Sequence, residues 1–163
     1  MKLRQKGFSL IELLIVVAII LIIAAIAIPN LLRSRMAANE ASAVGSIRTI
    51  NTSEITYNAT WGVGFAAALS NLGGTTSCTA SSTTACLIDP VLSAGTKSGY
   101  TFAAVGNGTG KTGYEVNGSP VTVGTTGQRA FCSDQSGVIR YNTTGTAIGT
   151  GAGSCAAITT VLQ

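Results

Sequence analysis

The feature that most constrains this chain is an apolar run near its N-terminus. The run covers the 21 residues from Phe8 to Ile28, of which only Ser9 and Glu12 are polar. As a helix it would be about 31 Å long, close to the roughly 30 Å hydrocarbon core of a bilayer. It therefore predicts a membrane-spanning helix, and the carboxylate of Glu12 inside it has to be explained.

Positive charge is concentrated ahead of this run. The formal net charge is +4, and Lys2, Arg4 and Lys6 supply three of the cations. Basic residues beside a membrane span stay on the cytoplasmic side, so we expect the rest of the chain to face outward. Without these three cations the chain is close to neutral. We therefore predict no specific nucleic-acid surface.

Two ordinary interpretations of the N-terminal segment leave features unexplained. A cleaved signal peptide could use Ala25-Ile26-Ala27 as its small-x-small site, but its apolar region would be unusually long and would contain an acid. An uncleaved anchor explains the length and the orientation, but not the Gly-Phe junction or Glu12. A charge at the centre of a membrane helix costs about 2.5 to 3.5 kcal/mol, and less near its end, so we expect Glu12 to have a partner.

Residues 6–32, KGFSLIELLIVVAIILIIAAIAIPNLL, resemble the N-terminus of type IV prepilins and the related pseudopilins. The shared features are a basic leader ending in glycine, then phenylalanine, a glutamate at the fifth mature position and a proline in the second half of the apolar helix. The resemblance implies a leader at residues 1–7, cleavage between Gly7 and Phe8 by prepilin peptidase, and N-methylation of Phe8. It also implies that the Phe8 amine of a neighbouring subunit neutralises Glu12, which would make this pair a register device for assembly.

The helical pattern continues past the apolar run. Pro29 has no N–H for the carbonyl of Ala25, so we expect a kink that does not end the helix. Apolar residues then recur mostly at three- and four-residue steps: Leu32, Met36, Val44, Ile47, Ile50 and Tyr57. We expect one helix over about residues 8–58, apolar all round at 8–28 and amphipathic at 29–58. The charged residues available for its outer face are Arg33, Arg35, Glu40, Arg48 and Glu54.

The remaining residues, 59–163, predict a globular domain. Residues 59–97 are interpreted as a connector loop with a helical turn expected in VGFAAALSNL, and residues 98–163 as a β-sheet made of short strands divided by Gly and Asn turns. RAFCSDQSGVIRYN predicts a hairpin with Phe131, Val138 and Ile139 as core candidates, and part of it resembles a late hairpin of some pilins. The expected fold class is α+β: a long N-terminal helix packed through its amphipathic half on a small antiparallel sheet, as in pilins.

The chain has four cysteines and no histidine. An even number of cysteines beyond an export-like N-terminus favours two disulfides over a metal site. Three connectivities are possible, and we expect the nearest-neighbour pairing, Cys78–Cys86 and Cys132–Cys155.

Catalysis is not expected. With no histidine and six acids, one of them in the apolar run, the chain offers no evident acid–base or nucleophilic arrangement. GNGTGKTG at residues 106–113 resembles a phosphate-binding loop, but Val105 stands where that motif needs glycine and no amphipathic helix follows. We therefore predict no catalytic residue, no metal site and no cofactor.

The resemblance implies a structural subunit of a type IV pilus filament. Its implied partners are identical subunits, prepilin peptidase and, indirectly, an inner-membrane platform protein and an assembly ATPase. The precursor would cross the bacterial inner membrane once with its N-terminus in the cytoplasm, and the mature form would lie in the extracellular filament. A major-type pseudopilin of a type II secretion system is the alternative. A secreted or anchored binding domain is a further alternative, which requires that the Gly7–Phe8 junction is not used.

Overall fold

The computed structural model describes residues 8–74 and 77–162. The predicted leader, residues 1–7, lies outside the described residues, and Gly7 lies outside them with it. The chain forms two compact units, one ending at Arg35 and the other beginning at Met36.

Helix α1 spans Leu10–Trp61 and contributes to both units. It passes through Pro29 without ending there, as the continuing helical pattern predicts. A helix bonds its own backbone N–H and C=O groups internally, and this is what a chain segment in hydrocarbon requires. The apolar half of α1 is therefore suited to lipid without any other element around it.

The second unit contains a five-stranded sheet in which neighbouring strands in the sequence are neighbours in space. All four strand pairs are antiparallel. The strands are β1 Thr96–Lys97, β2 Tyr100–Asn107, β3 Gly113–Pro120, β4 Ala130–Asp134 and β5 Arg140–Asn142. Two single-turn helices, α2 Leu69–Leu72 and α3 Pro90–Ser93, precede the sheet. The predicted α+β class, a long helix with a small antiparallel sheet, is confirmed.

One face of the sheet packs on the second half of α1. Ile47 and Ile50 are fully buried and share one core with Phe102 and Phe131. Gly118 of β3 allows the close approach, because a Cβ atom there would lie 2.9 Å from Cε1 of Phe102 and 3.5 Å from Cδ1 of Ile47. Burial of these side chains supplies the main driving force for docking the sheet on the helix.

The opposite face of the sheet is covered from within residues 143–162, which contain no named strand and whose last residues run beside β5. The side chain of Asn107 donates to the carbonyl of Thr150 at 3.0 Å, and that of Asn117 donates to the carbonyl of Ile148. Side chains alternate between the faces of a strand, so these asparagines can hold the covering segment while their neighbours face α1. The domain is thus three layers deep.

Two local expectations can be compared with the structure. The predicted hairpin is formed by β4 and β5. Phe131 and Ile139 are buried, whereas Val138 is only half-buried in the turn region. The turn expected in VGFAAALSNL is α2. Helix α3 was not expected, although Asp89 followed by Pro90 is a recognisable helix start: the carboxylate of Asp89 accepts from the Leu92 N–H at 3.0 Å.

Candidate functional site

The first unit presents an apolar helix surface, which we define as residues Leu10–Ile28 of α1. All of its large apolar side chains are exposed in the described chain, and only Ala24 is half-buried. The most apolar 18-residue window has a mean hydropathy of 3.3 and none of it is buried. By length and composition this helix can cross a membrane. A surface this apolar is unfavourable in water, so it requires lipid or other apolar helices around it.

Glu12 lies at the N-terminal end of this surface and caps its own helix. Its Oε2 accepts a hydrogen bond from the main-chain N–H of Ser9 at 2.9 Å. Ser9 directly precedes Leu10, so the pair forms one half of a capping box, in which the acid at the third helical position reaches back to the capping residue. The pattern Ser9-x-x-Glu12 is the sequence signal for this bond.

The structure brings Phe8 and Glu12, the two residues predicted to act in assembly, close together in one chain. Phe8 is 81% exposed and lies one residue before Ser9, so its main chain is beside the carboxylate of Glu12. Pro29 is 17 residues beyond Glu12, about 26 Å along a helix. The predicted kink at Pro29 stays a prediction.

Glu40 was expected on the outer face of α1, and this is wrong. It is 8% exposed and bonded to the loop before β4. Its Oε1 accepts from the N–H groups of Gln128 at 2.9 Å and Arg129 at 3.1 Å, and its Oε2 accepts from Nε of Arg129 at 2.8 Å. Burial opposes ionisation, but these donors outweigh it and lower the pKa of Glu40 below its ordinary value.

Glu54 was also expected outside, and it is fully buried instead. Its Oε2 accepts from the main-chain N–H of Ala66 at 2.8 Å, whereas Oε1 has no hydrogen-bond partner among the described residues. Burial raises the pKa of Glu54 to about 7, although the bond from Ala66 acts in the opposite direction. The other charged residues named for the outer face, Arg33, Arg35 and Arg48, are exposed.

Both acids could have been placed from the sequence. Glu40, Ile47 and Glu54 are seven residues apart, and residues at this spacing share one face of a helix. The apolar residue between them therefore indicates that both acids face the core. We had assigned them by charge alone, without testing their positions on the helix.

All four cysteines form disulfides within the second unit. Cys132 of β4 is bonded to Cys155 in the covering segment, with Cα atoms 5.6 Å apart, and both residues are fully buried. Cys78 is bonded to Cys86 in the connector, with Cα atoms 6.0 Å apart. These are the nearest-neighbour pairs. The first bond fixes the covering segment to the sheet, and the second closes a short loop of the connector.

Taken together, the described residues present one exposed apolar helix surface with a carboxylate at its N-terminal end. At the N-terminal end of the exposed apolar surface of α1 lies the carboxylate of Glu12, which caps the helix. Two buried acids of the second unit, Glu40 and Glu54, each bond a loop of that unit to α1. The chemistry that this arrangement offers is association between helices, with one carboxylate available to a cation.

Comparison with known proteins connects this arrangement to a family. Residues 2–28 match the family model described as "Prokaryotic N-terminal methylation motif". The type IV wide pilus major component PilA4 of Thermus thermophilus is 65% identical over 37 residues, which are 23% of this chain and 28% of that protein. The type IV major pilin protein PilA of Myxococcus xanthus is 43% identical over 54 residues, 33% of this chain and 24% of that protein.

The matches thus cover only about a quarter of the length of each relative. No solved structure matches the chain significantly. The motif match, residues 2–28, includes the whole apolar helix surface described above. By these findings the N-terminal segment of the chain contains the prokaryotic N-terminal methylation motif and is similar to segments of two type IV major pilins.

Proposed function

We propose that this chain is a structural subunit of a type IV pilus filament. The observation that carries the proposal is the apolar helix surface Leu10–Ile28, which is uncovered and ends in the carboxylate of Glu12. The motif match at residues 2–28 and the two pilin relatives support it. The activity is assembly, and no enzymatic step of this chain is involved.

In this proposal the apolar helix surface has two successive environments. The precursor crosses the inner membrane with its N-terminus in the cytoplasm, and the bilayer covers the surface. In the filament the same surface is covered by helices of other subunits. Lipid tails and apolar side chains are similar environments, so the transfer exchanges one cover for another and does not expose the helix to water. The mature subunit then lies in an extracellular filament.

Processing at the Gly7–Phe8 junction would give Glu12 its partner. Cleavage by prepilin peptidase creates a cationic amine on Phe8, which is then N-methylated. In the filament this amine would neutralise Glu12 of a neighbouring subunit. Sliding one helix along its neighbour would leave a buried charge unpaired, which costs several kcal/mol, on the order of 3 to 5, so the pair favours one register. The bond from Ser9 supports this role, since it holds the carboxylate near the end of α1.

The second unit would form the outside of the filament. Two disulfides suit a small domain exported to an oxidising environment. Besides identical subunits, the proposed partners are the peptidase, an inner-membrane platform protein and, indirectly, an assembly ATPase.

The proposal is tested by shearing cells and comparing the sheared material with the membranes, using intact mass under non-reducing conditions and N-terminal analysis. We expect abundant sheared chain that begins at N-methylated Phe8 and is four hydrogens lighter than the reduced form. The same mature chain confined to membranes would contradict a pilus subunit and indicate a pseudopilin. A chain that begins after Ala27 would contradict both and indicate a secreted domain.

A further inference from the structure

Glu54 joins the end of α1 to the loop that follows it. The loop, residues 62–66, leads from α1 into the connector. The carboxylate of Glu54 accepts from the N–H of Ala66 at 2.8 Å. On its other side the carbonyl of Ala66 accepts from the N–H of Gly106 in β2 at 2.8 Å, and Phe65 donates to the carbonyl of Lys111 at 3.0 Å. Ala66 therefore links Glu54 to the edge of the sheet.

The carboxyl group of Glu54 has no counter-ion. Neither of the ion pairs between described residues includes it. Its Oε1 is buried without a hydrogen-bond partner, and so is the phenol oxygen of Tyr114 on β3. Burial and then the charge of Glu54 raise the pKa of the Tyr114 phenol, which indicates that the two groups are near each other. An ionised Glu54 would be a buried charge with one N–H donor, whereas a protonated one is neutral and gains a donor of its own.

None of the described groups around Glu54 supplies a positive charge that pairs with its carboxylate. Its own helix contributes Tyr57, whose hydroxyl donates to the carbonyl of Ser82. The sheet contributes Tyr114, whereas Asp134, at the end of β4, is the register partner of Glu115 and is itself an acid. Residues 62–66 contain no titratable side chain. The cation in the adjoining β2–β3 loop is Lys111, which is half-exposed and is in neither described ion pair.

We propose that Glu54 is a proton-dependent latch that fastens residues 62–66 to α1 and β2. With the carboxyl protonated, Oε2 accepts from the N–H of Ala66 and no charge is buried. Loss of the proton strengthens this one bond but leaves an unpaired negative charge in the core, so opening of the loop, which returns the carboxylate to water, becomes easier. This latch belongs to the second unit and is independent of filament assembly.

The pH at which the latch weakens follows from the sign of the shift. A carboxyl group with a raised pKa in the folded chain stabilises the fold fully below its ordinary value of 4.5. That contribution is lost as the pH rises through the folded value, about 7 for Glu54. The latch is therefore tightest below pH 4.5, weakens progressively as the pH rises towards about 7, and is weakest above that value.

The test is amide hydrogen exchange on the full chain in detergent micelles at pH 5.5 and 8, corrected for intrinsic exchange rates. In wild type we expect the protection of the Ala66 and Gly106 amides to fall about tenfold or more with the rise in pH. Glu54→Gln stays neutral at both pH values, so it should abolish that fall. Glu115→Gln is the matched control, because this buried acid bonds Gly153 and Cys155 on the other sheet face and should leave the fall unchanged.

An equal fall in wild type and Glu54→Gln would overturn the proposal. Since Glu54→Gln could also impair folding, the wild type provides a second test. NMR titration of its glutamate carboxyl carbons should show one group with a midpoint near 7, and the Ala66 amide shift should follow the same curve. Midpoints below 5.5 for every glutamate would also overturn it. Neither readout depends on assembly, so its outcome is separate from that of the pilus proposal.

Discussion

Nη2 of Arg129 lies 2.7 Å from Oε2 of Glu40, and this ion pair ties α1 to the loop that leads into β4. The guanidinium also lies over the rings of Phe131 and Tyr141, 5.3 Å and 5.2 Å from their centroids. A cation held over two aromatic faces and paired with a mostly buried carboxylate is well oriented. The pair therefore helps to set how the sheet docks on the helix.

Replacing Glu40 should be costly for this docking. Glu40→Ala removes the acceptor for two main-chain N–H groups and for the guanidinium, so we expect the free energy of unfolding to fall by about 2 kcal/mol. Chemical denaturation of the full chain in detergent micelles measures it. Lys97→Gln is the control, because Asp89 is far more exposed than Glu40 and the Lys97–Asp89 pair should be worth less than about 0.5 kcal/mol. Similar losses for both variants would contradict the assigned role.

Glu40 should also contribute to acid sensitivity. Its pKa is lowered in the folded chain, so its stabilising contribution is fully present above the ordinary value of 4.5 and is lost as the pH falls through the folded value. We expect Glu40→Gln to reduce the loss of stability below pH 4.5 relative to wild type. Denaturation midpoints measured down to pH 3 test this. If the midpoints of wild type and Glu40→Gln fell in parallel below pH 4.5, the result would argue against it.

Two glycines should respond oppositely to alanine. Gly45 is exposed on α1 with open space around its Cα, so Gly45→Ala should stabilise the unassembled chain by about 0.5 to 1 kcal/mol through helix propensity. At Gly118 an added methyl would crowd the Phe102 ring, so Gly118→Ala should destabilise by about 1 to 3 kcal/mol. Thermal unfolding of both variants measures the difference, and shifts of the same sign would be inconsistent with this packing.

The two disulfides should differ in their effect on stability. The Cys132–Cys155 bond closes a sequence separation of 23 residues and the Cys78–Cys86 bond one of 8. By loop entropy, removal should cost about 3 kcal/mol for the first and about 2.5 kcal/mol for the second. The first also fixes the covering segment, so the Cys132→Ala, Cys155→Ala double variant should lose proteolytic resistance within residues 143–162. If residues 143–162 kept their resistance to proteolysis and the fold were retained, the hydrogen bonds of Asn107 and Asn117 would be sufficient to hold the segment on the sheet.

Glu12 offers a way to separate capping from charge pairing. Glu12→Gln keeps an oxygen for the Ser9 N–H but has no charge, whereas Glu12→Leu removes both. Because we attribute assembly to the charge, we expect both variants to reduce the chain in the sheared fraction tenfold or more. Insertion should persist in both, since each makes the span less polar. Wild-type assembly by Glu12→Gln would instead assign the residue to helix capping alone.

The sequence predicts the architecture correctly where a single local pattern, such as hydropathy or alternation, determines the structure. The run Phe8–Ile28 predicts the apolar half of α1 from hydropathy, and the alternation around residues 129–142 predicts the β4–β5 hairpin. Leu32 shows the limit of the apolar pattern, because it fits the predicted stripe yet is exposed. The buried face of α1 begins only at Glu40 and Ala43.

Other features depend on contacts that no local pattern carries. The carboxylate of Glu40 is satisfied by Arg129, 89 residues away, and no sequence window contains both. Residues 143–162 cover the sheet through main-chain carbonyls that accept from asparagines of β2 and β3, so their sequence shows neither strand nor helix periodicity. The position of Glu54 was available from its spacing to Ile47, but its bond to Ala66 was not.

The most direct test of the central claim is electron cryomicroscopy of filaments sheared from the cell. The account predicts a helical filament of this chain in which residues from Phe8 to Ile28 of every copy form the core, with Glu12 beside the Phe8 amine of a neighbouring copy and the second unit outside. Filaments that lack this chain, with the chain retained in the membrane, would contradict the account.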